Sequence, residues 1–209
     1  MIDWALMTGA TRLVLVRHGE PEVDSHGRCY GRLDVGLSPR GREQAAHTAR
    51  WLAAAPLQAI YSSPRRRALE SAAPFASARG LTVQLREGLR EIDFGSLEGL
   101  TYDEARAQHP EFYAAWMAHP TRVTFPGGES YARLRERVLG EARELVRAHA
   151  GGTVAVVAHG GVTRAILAEA LHLADDDLFR LDQAYASASI IDYFASTVLV
   201  RLVNGTPGP

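Results

Sequence analysis

Apolar and polar positions follow two periods along the chain, and the switches between them divide it into strands and helices. Leu13 to Val16 is an unbroken apolar run closed by Arg17, His18 and Gly19, the pattern of a strand buried on both faces of a parallel sheet. Leu57 to Tyr61, Thr82 to Leu85 and Thr153 to Ala158 read as further strands. Ser189 to Phe194 and Thr197 to Val203 close the chain as a hairpin at the sheet edge. Between them the spacing turns helical. Ser38 and Pro39 supply a cap and a first helical position for Gln44, Ala45, Thr48, Trp51 and Leu52, with the helix ending near Pro56. Ser62-Ser63-Pro64 opens a second helix, starting with Arg65, Arg66 and Arg67, which Pro74 should kink or shorten before Gly80. Tyr102 to His119 is helical with breaks at Pro110 and Pro120. Tyr131, Leu134, Val138 and Leu145 stripe a long amphipathic helix fed by the turn Phe125 to Ser130, and Gly161 to Leu173 forms the last helix. Strands alternating with helices predict an α/β fold around a mostly parallel sheet.

Two of these strands end alike. The first delivers Arg17-His18-Gly19, the late one His159-Gly160-Gly161, and in open α/β sheets the ligand crevice lies at the carboxyl ends of the strands. Two imidazoles are thereby expected at one sheet edge, with Gly19 and Gly160 letting the backbone turn sharply and a ligand come close. Pro21 to Gly36, rich in Gly, Pro and charge without a period, reads as a long functional loop.

Composition narrows the function classes. A length of 209 residues suits one domain with a substantial core, here 1–209, with residues 1–10 as a loosely held extension. Lys and Arg number 23 against 24 Asp and Glu, so no global basic field exists to draw nucleic acid or anionic lipid, and any attraction for anions must be local. No run approaches a membrane span, and the first twelve residues lack the basic leader of a signal peptide. Cys29, the only cysteine, excludes an internal disulfide, fits a reducing cytoplasm, and reads as a small packed residue. Apolar edge strands near the C-terminus are to be buried either in the core or in a homodimer.

RHGE after a first strand and HGG after a late one resemble the histidine phosphatase superfamily, which includes the cofactor-dependent phosphoglycerate mutases; the matching motifs run from Arg12 to about Arg164. The resemblance implies a phosphoglycerate mutase-like three-layer α/β/α sandwich. It also implies catalysis by His18, with Arg17, Arg67 and His159 around a phosphoryl group. The family segment Ser-Ser-Pro, two variable positions, then Arg-Ala selects Arg67, leaving Arg65 and Arg66 to solvent. By the same register LREIDFGSLEG makes Glu91 the proton donor, with Asp93 and Glu98 as competing carboxylates. Glu129, in the family's Gly-Glu-Ser, Gly160, Arg28 and Arg32 are expected to bind substrate, although Glu129 also reads as a capping carboxylate. Two positions depart from the family: Asp24 stands where many members carry Asn, and Pro21 where Thr or Ser is common.

The chemistry these residues support is in-line attack on phosphorus. Two arginines favour a neutral nucleophilic imidazole while holding a dianionic phosphoryl group, a phosphohistidine forms at His18, and a carboxylic acid protonates the departing alkoxide. With no HExxH, paired Cys-x-x-Cys, Walker A or GxGxxG pattern, neither metal nor cofactor is expected. RHGEPE with RCYGRLDVGLSPRG most resembles α-ribazole phosphatases of cobalamin synthesis. The implied partner is thus a small phosphomonoester, not nucleic acid or membrane. A phosphoglycerate mutase, a broad-specificity phosphatase and a phosphohistidine-protein phosphatase are the alternatives.

Overall fold

The structure, a computed structural model, describes residues 2, 4–5, 7–22 and 27–208. Its first strand, β1 (Thr11–Arg17), is covered on both sides because its apolar residues divide by parity. Leu13 and Leu15 join a core cluster with the helices α5 (Tyr131–Ala148) and α6 (Gly160–Ala170). Val14 and Val16 enter a second cluster with α1 (Pro39–Trp51) and α2 (Arg66–Ser77). A six-stranded sheet between two helical layers is the outcome, the three-layer α/β/α arrangement expected.

Sheet order is β3-β2-β4-β1-β5-β6, where β2 is Ala59–Ser62, β3 Val83–Leu85, β4 Thr153–Ala158, β5 Ala188–Tyr193 and β6 Val198–Gly205. The strands β1 to β4 pair in parallel and β5 and β6 add antiparallel, so the closing hairpin is present at one edge. One register matters most. Arg17 lies opposite Ala158, and the His18 amide donates to the Ala158 carbonyl at 2.9 Å, so the residues following β1 and β4 leave the sheet at the same level.

Local expectations hold with small shifts of boundary. Ser38 caps α1 by accepting from the Gly41 amide at 2.9 Å, with Pro39 in the first turn. The helical stretch after Gly99 divides at Pro110 into α3 (Tyr102–Gln108), closed at its start by a Thr101–Glu104 capping box, and α4 (Pro110–Ala118). The start of α2 differs. Pro64 disfavours helical backbone at Ser63, whose amide instead bonds to the Val157 carbonyl at 3.1 Å, so the strand pairing runs on to Ser63, the chain bends at Pro64 and Arg65, and α2 begins at Arg66. Pro74 sits inside α2 without ending it.

Of the stretch 1–10 expected to be loosely held, Ile2 and Trp4 pack against the α1–α2 cluster, and Ala10 is fully buried. Beside them Arg12, buried on β1, meets Asp192 on β5 through Nε to Oδ1 at 2.6 Å and Nη2 to Oδ2 at 2.8 Å. Burial pushes the Asp192 carboxyl up, but hydrogen bonds from Arg12 and Arg201 more than offset it and hold it below the usual carboxylate value. Breaking such a pair strands a charge in the core. Asp192→Ala is expected to lower the unfolding free energy by about 3–5 kcal/mol, read as a shift in the urea midpoint, whereas exposed Asp103→Ala leaves it within about 0.5 kcal/mol.

Candidate active site

At the carboxyl ends of β1 and β4 the rings of His18 and His159 stand edge to face, their centroids 5.2 Å apart and both almost wholly buried. Sheet register puts them there; hydrogen bonds decide what each atom offers. His18 Nδ1 lies 2.7 Å from the Gly19 carbonyl, an acceptor only, so Nδ1 carries the proton and Nε2 keeps its lone pair. Burial, then the guanidinium groups of Arg67 and Arg17, push the His18 imidazole well below its usual value near 6.5, against the smaller opposing effect of the Gly19 carbonyl. His159 is lowered well below 6.5 by burial and by Arg67, His18, Arg65 and Arg17.

The two arginines are held by backbone carbonyls and aromatic faces. Arg67, fully buried on α2, donates Nη1 to Leu33 O at 2.8 Å and Nη2 to Tyr30 O and Gly31 O at 3.0 and 3.1 Å. Its guanidinium also lies 5.1 Å from the Tyr30 ring centre. Arg17 donates to the Gln183 carbonyl and stacks 4.2 Å over Tyr185. The tyrosine hydroxyls meet at 3.1 Å, joining the two supporting loops. Arg17 Nε, Arg67 Nε and His159 Nδ1 remain buried with no hydrogen-bond partner among the described residues. Three such groups around one imidazole suit the oxygens of a tetrahedral anion.

A cavity of about 220 Å³ opens onto this group. Arg17, His18, Arg67, Glu91 and Gly160 line its charged end, and Phe94, Tyr102, Trp116, Phe125 and Phe179 are among its apolar walls. Glu91 accepts from the Gly161 amide through Oε2 and from the Ile92 amide through Oε1, each at 2.9 Å. A Cβ on Gly161 would fall 2.3 Å from Glu91 Oε1, so this approach requires glycine. Gly19 is required for a different reason than ligand access: a Cβ there would lie 2.3 Å from the Gly41 carbonyl of α1. Neither Gly19 nor Gly160 has positive φ; at Gly160 the chain turns from β4 into α6 directly after His159.

The other expected site residues divide. Arg28 lines the cavity and donates to the Gly99 carbonyl at 2.8 Å and to Glu104 at 3.2 Å. Arg32 does not line it; largely exposed, it faces Asp93 at 3.8 Å. Glu129 is likewise away from the cavity and is not the cap of α5, which is Ser130. Its carboxylate is gripped by Arg137 at 2.7 and 2.8 Å, and Arg137 also donates to the carbonyls of Gly88, Arg90 and Glu91. Glu129 thus fastens the segment that carries Glu91. The competing carboxylates are occupied as well: Glu98 accepts from the amides of Gly31, Arg32, Leu33 and Phe94, and Asp93 from that of Gly95 at 2.9 Å. Asp24 lies outside the described residues. Cys29 is packed, as expected, and burial pushes its thiol up to about 12.

Sequence reasoning passed over Arg164, which lines the cavity, donates Nε to Leu181 O at 2.8 Å and has no carboxylate within 4 Å among the described residues. The signal was its place one turn into the helix after His159. No cluster of three or more potential metal ligands occurs among the described residues, and no described helix is long and apolar enough to cross a membrane.

Comparison with known proteins bears on this geometry. The family model described as "Histidine phosphatase superfamily (branch 1)" matches residues 13–206. A bifunctional protein of Mycobacterium tuberculosis is 38% identical over 198 residues, 94% of this chain, and the chain spans about half (54%) of that relative's length. Phosphoserine phosphatase 1 of Hydrogenobacter thermophilus is 39% identical over 155 residues, 74% of each chain. A solved structure from Escherichia coli, given as a candidate α-ribazole-5'-P phosphatase, superposes with a TM-score of 0.87 at 26% identity, covering 96% of this chain and 99% of its own.

The neutral buried imidazoles make stability depend on pH. Below 6.5 the unfolded chain takes up protons at His18 and His159 that the folded chain does not, so stability falls as pH drops toward the folded-state values. The slope approaches about 1.4 kcal/mol per pH unit for each histidine. Urea midpoints between about pH 5 and 6.5 should decline in the wild type and decline less steeply in His159→Gln, which cannot take up that proton.

Proposed function

Because the chain belongs to the histidine phosphatase superfamily (branch 1), we propose that it hydrolyses small phosphomonoesters without a metal, through a phosphohistidine at His18. The observation that carries this reading is the His18 ring, its Nδ1 proton committed to Gly19 O and its Nε2 lone pair left free in a cavity lined by Arg17 and Arg67. Nε2 attacks phosphorus as the ester P–O bond breaks. Negative charge on the phosphoryl oxygens is met by Arg17, Arg67 and His159 Nδ1. Glu91, protonated, gives its proton to the departing alkoxide, and as carboxylate then takes one from the water that cleaves the P–N bond and regenerates His18.

For the alcohol, α-ribazole is the first candidate, with a role in cobalamin synthesis. The loop RCYGRLDVGLSPRG supports it, as does the likeness to the Escherichia coli structure, and the aromatic walls suit a flat base. Arg164 favours a second reading. An unpaired guanidinium beside the phosphoryl end suits a carboxylate on the alcohol, as in phosphoserine.

Phosphate release from α-ribazole 5'-phosphate, phosphoserine, 3-phosphoglycerate and p-nitrophenyl phosphate, with EDTA present, tests both. His18→Ala is expected to lose activity by at least about 10³-fold on every substrate. Glu91→Gln should slow alkyl phosphates by about 10²-fold or more and p-nitrophenyl phosphate far less, since that leaving group needs no proton. Full activity of His18→Ala refutes the mechanism. Transfer of phosphate between positions of phosphoglycerate with little free phosphate would make the protein a mutase instead.

A further inference from the structure

His18 and His159 occupy equivalent ends of adjacent strands, both buried and both held neutral, yet the proposed chemistry asks opposite things of them. One must present a lone pair and the other a hydrogen. The backbone carbonyl of Gly19 settles this for His18. No carbonyl does so for His159, whose Nε2 lies instead 2.8 Å from the hydroxyl of Ser63, a group able to donate or accept.

The surroundings of Ser63 remove that ambiguity. Its side chain is fully buried at the end of β2, and its oxygen already accepts from the Arg65 amide at 3.3 Å. If His159 Nε2 also carried a proton, Ser63 Oγ would accept twice. Its own proton would then be buried with no acceptor among the described residues, and His159 Nδ1 would hold a bare lone pair in a buried setting that offers it no donor. With the proton on Nδ1, Ser63 donates to Nε2 and accepts from Arg65, and Nδ1–H becomes the donor that the phosphoryl group lacks.

We infer that Ser63 is a positioning residue that locks His159 as the Nδ1–H tautomer, so that of two neighbouring imidazoles only His18 keeps an unengaged nucleophilic nitrogen. The inference rests on the proposed phosphoryl chemistry for its purpose, but not for its geometry. Pro64 is what makes the contact: by keeping Ser63 extended rather than helical, it leaves the side chain at the strand end, where β4 brings His159. The role passes from β2 through a hydroxyl to β4, across 96 positions of sequence.

Nitrogen-15 NMR of protein labelled in histidine reads the tautomer directly, without any substrate. The expected result is a protonated Nδ1 and an unprotonated Nε2 at His159 near neutral pH, with the Nδ1 proton moving downfield when inorganic phosphate is added. Ser63→Ala should mix the tautomers and lower kcat on the order of tenfold with a smaller change in KM, and Ser63→Thr, which keeps the hydroxyl, should restore both. A wild-type His159 protonated on Nε2 overturns the inference, as does a Ser63→Ala protein with unchanged tautomer and unchanged kcat. If Ser63→Ala does not fold, the wild-type spectrum alone decides. A wild type that hydrolyses no phosphomonoester while showing the Nδ1–H tautomer refutes the proposed function and leaves the role of Ser63 standing.

Discussion

Everything at the site follows from keeping guanidinium groups buried without giving them carboxylate partners. A paired arginine would have little attraction left for an anionic ligand, and an unsupported one would not stay buried. Backbone carbonyls solve this by taking N–H groups while adding no net charge. Arg67 uses three from residues 30–33, and Arg17 uses Gln183 and the face of Tyr185. The long loop after β1 has its purpose here. It supplies the carbonyls, and Glu98 pins it by accepting from three successive amides.

The same arrangement governs the histidines. Burial disfavours a charge on either imidazole and the neighbouring cations add to it, so both rings are held toward the neutral form and hydrogen bonds decide what each nitrogen offers. Loss of stability on acidification and a free lone pair on His18 at neutral pH thus have a common electrostatic origin. On the opposite wall, Glu91 is positioned by glycine at 161 and by Arg137, which draws three carbonyls of its segment toward α5 while neutralised by Glu129. Glu91 and His18 are therefore held by separate elements, the first by α6 and α5, the second by the end of β1.

The Arg12–Asp192 pair marks the other end of β1 from His18. There the cation meets a carboxylate in bidentate geometry, with Arg201 as a third member. The contrast along one strand is instructive. At its amino end a carboxylate closes the charge and serves the fold; at its carboxyl end carbonyls leave the charge open for a ligand.

The α/β architecture is legible in the residues alone, because burial on two sheet faces and on helical stripes writes periods of 2 and 3.6 into them. Leu13 to Val16 and Tyr131 to Leu145 needed no distant partner to be recognised. The sequence also placed His18 and His159 at the ends of parallel strands, and the family motifs pointed to Arg67 and Glu91. Tertiary structure alone decided which nitrogen of each ring carries its proton, that Glu129 serves Arg137 rather than the cavity, that Arg32 faces Asp93, and that Ser63 and Arg164 belong to the site. Those outcomes depend on which donor meets which acceptor once the chain is folded, at a separation of 96 positions for Ser63 and His159. Periodicity is a local property of the sequence, whereas the choice of a hydrogen-bond partner exists only once strands and loops have been brought side by side.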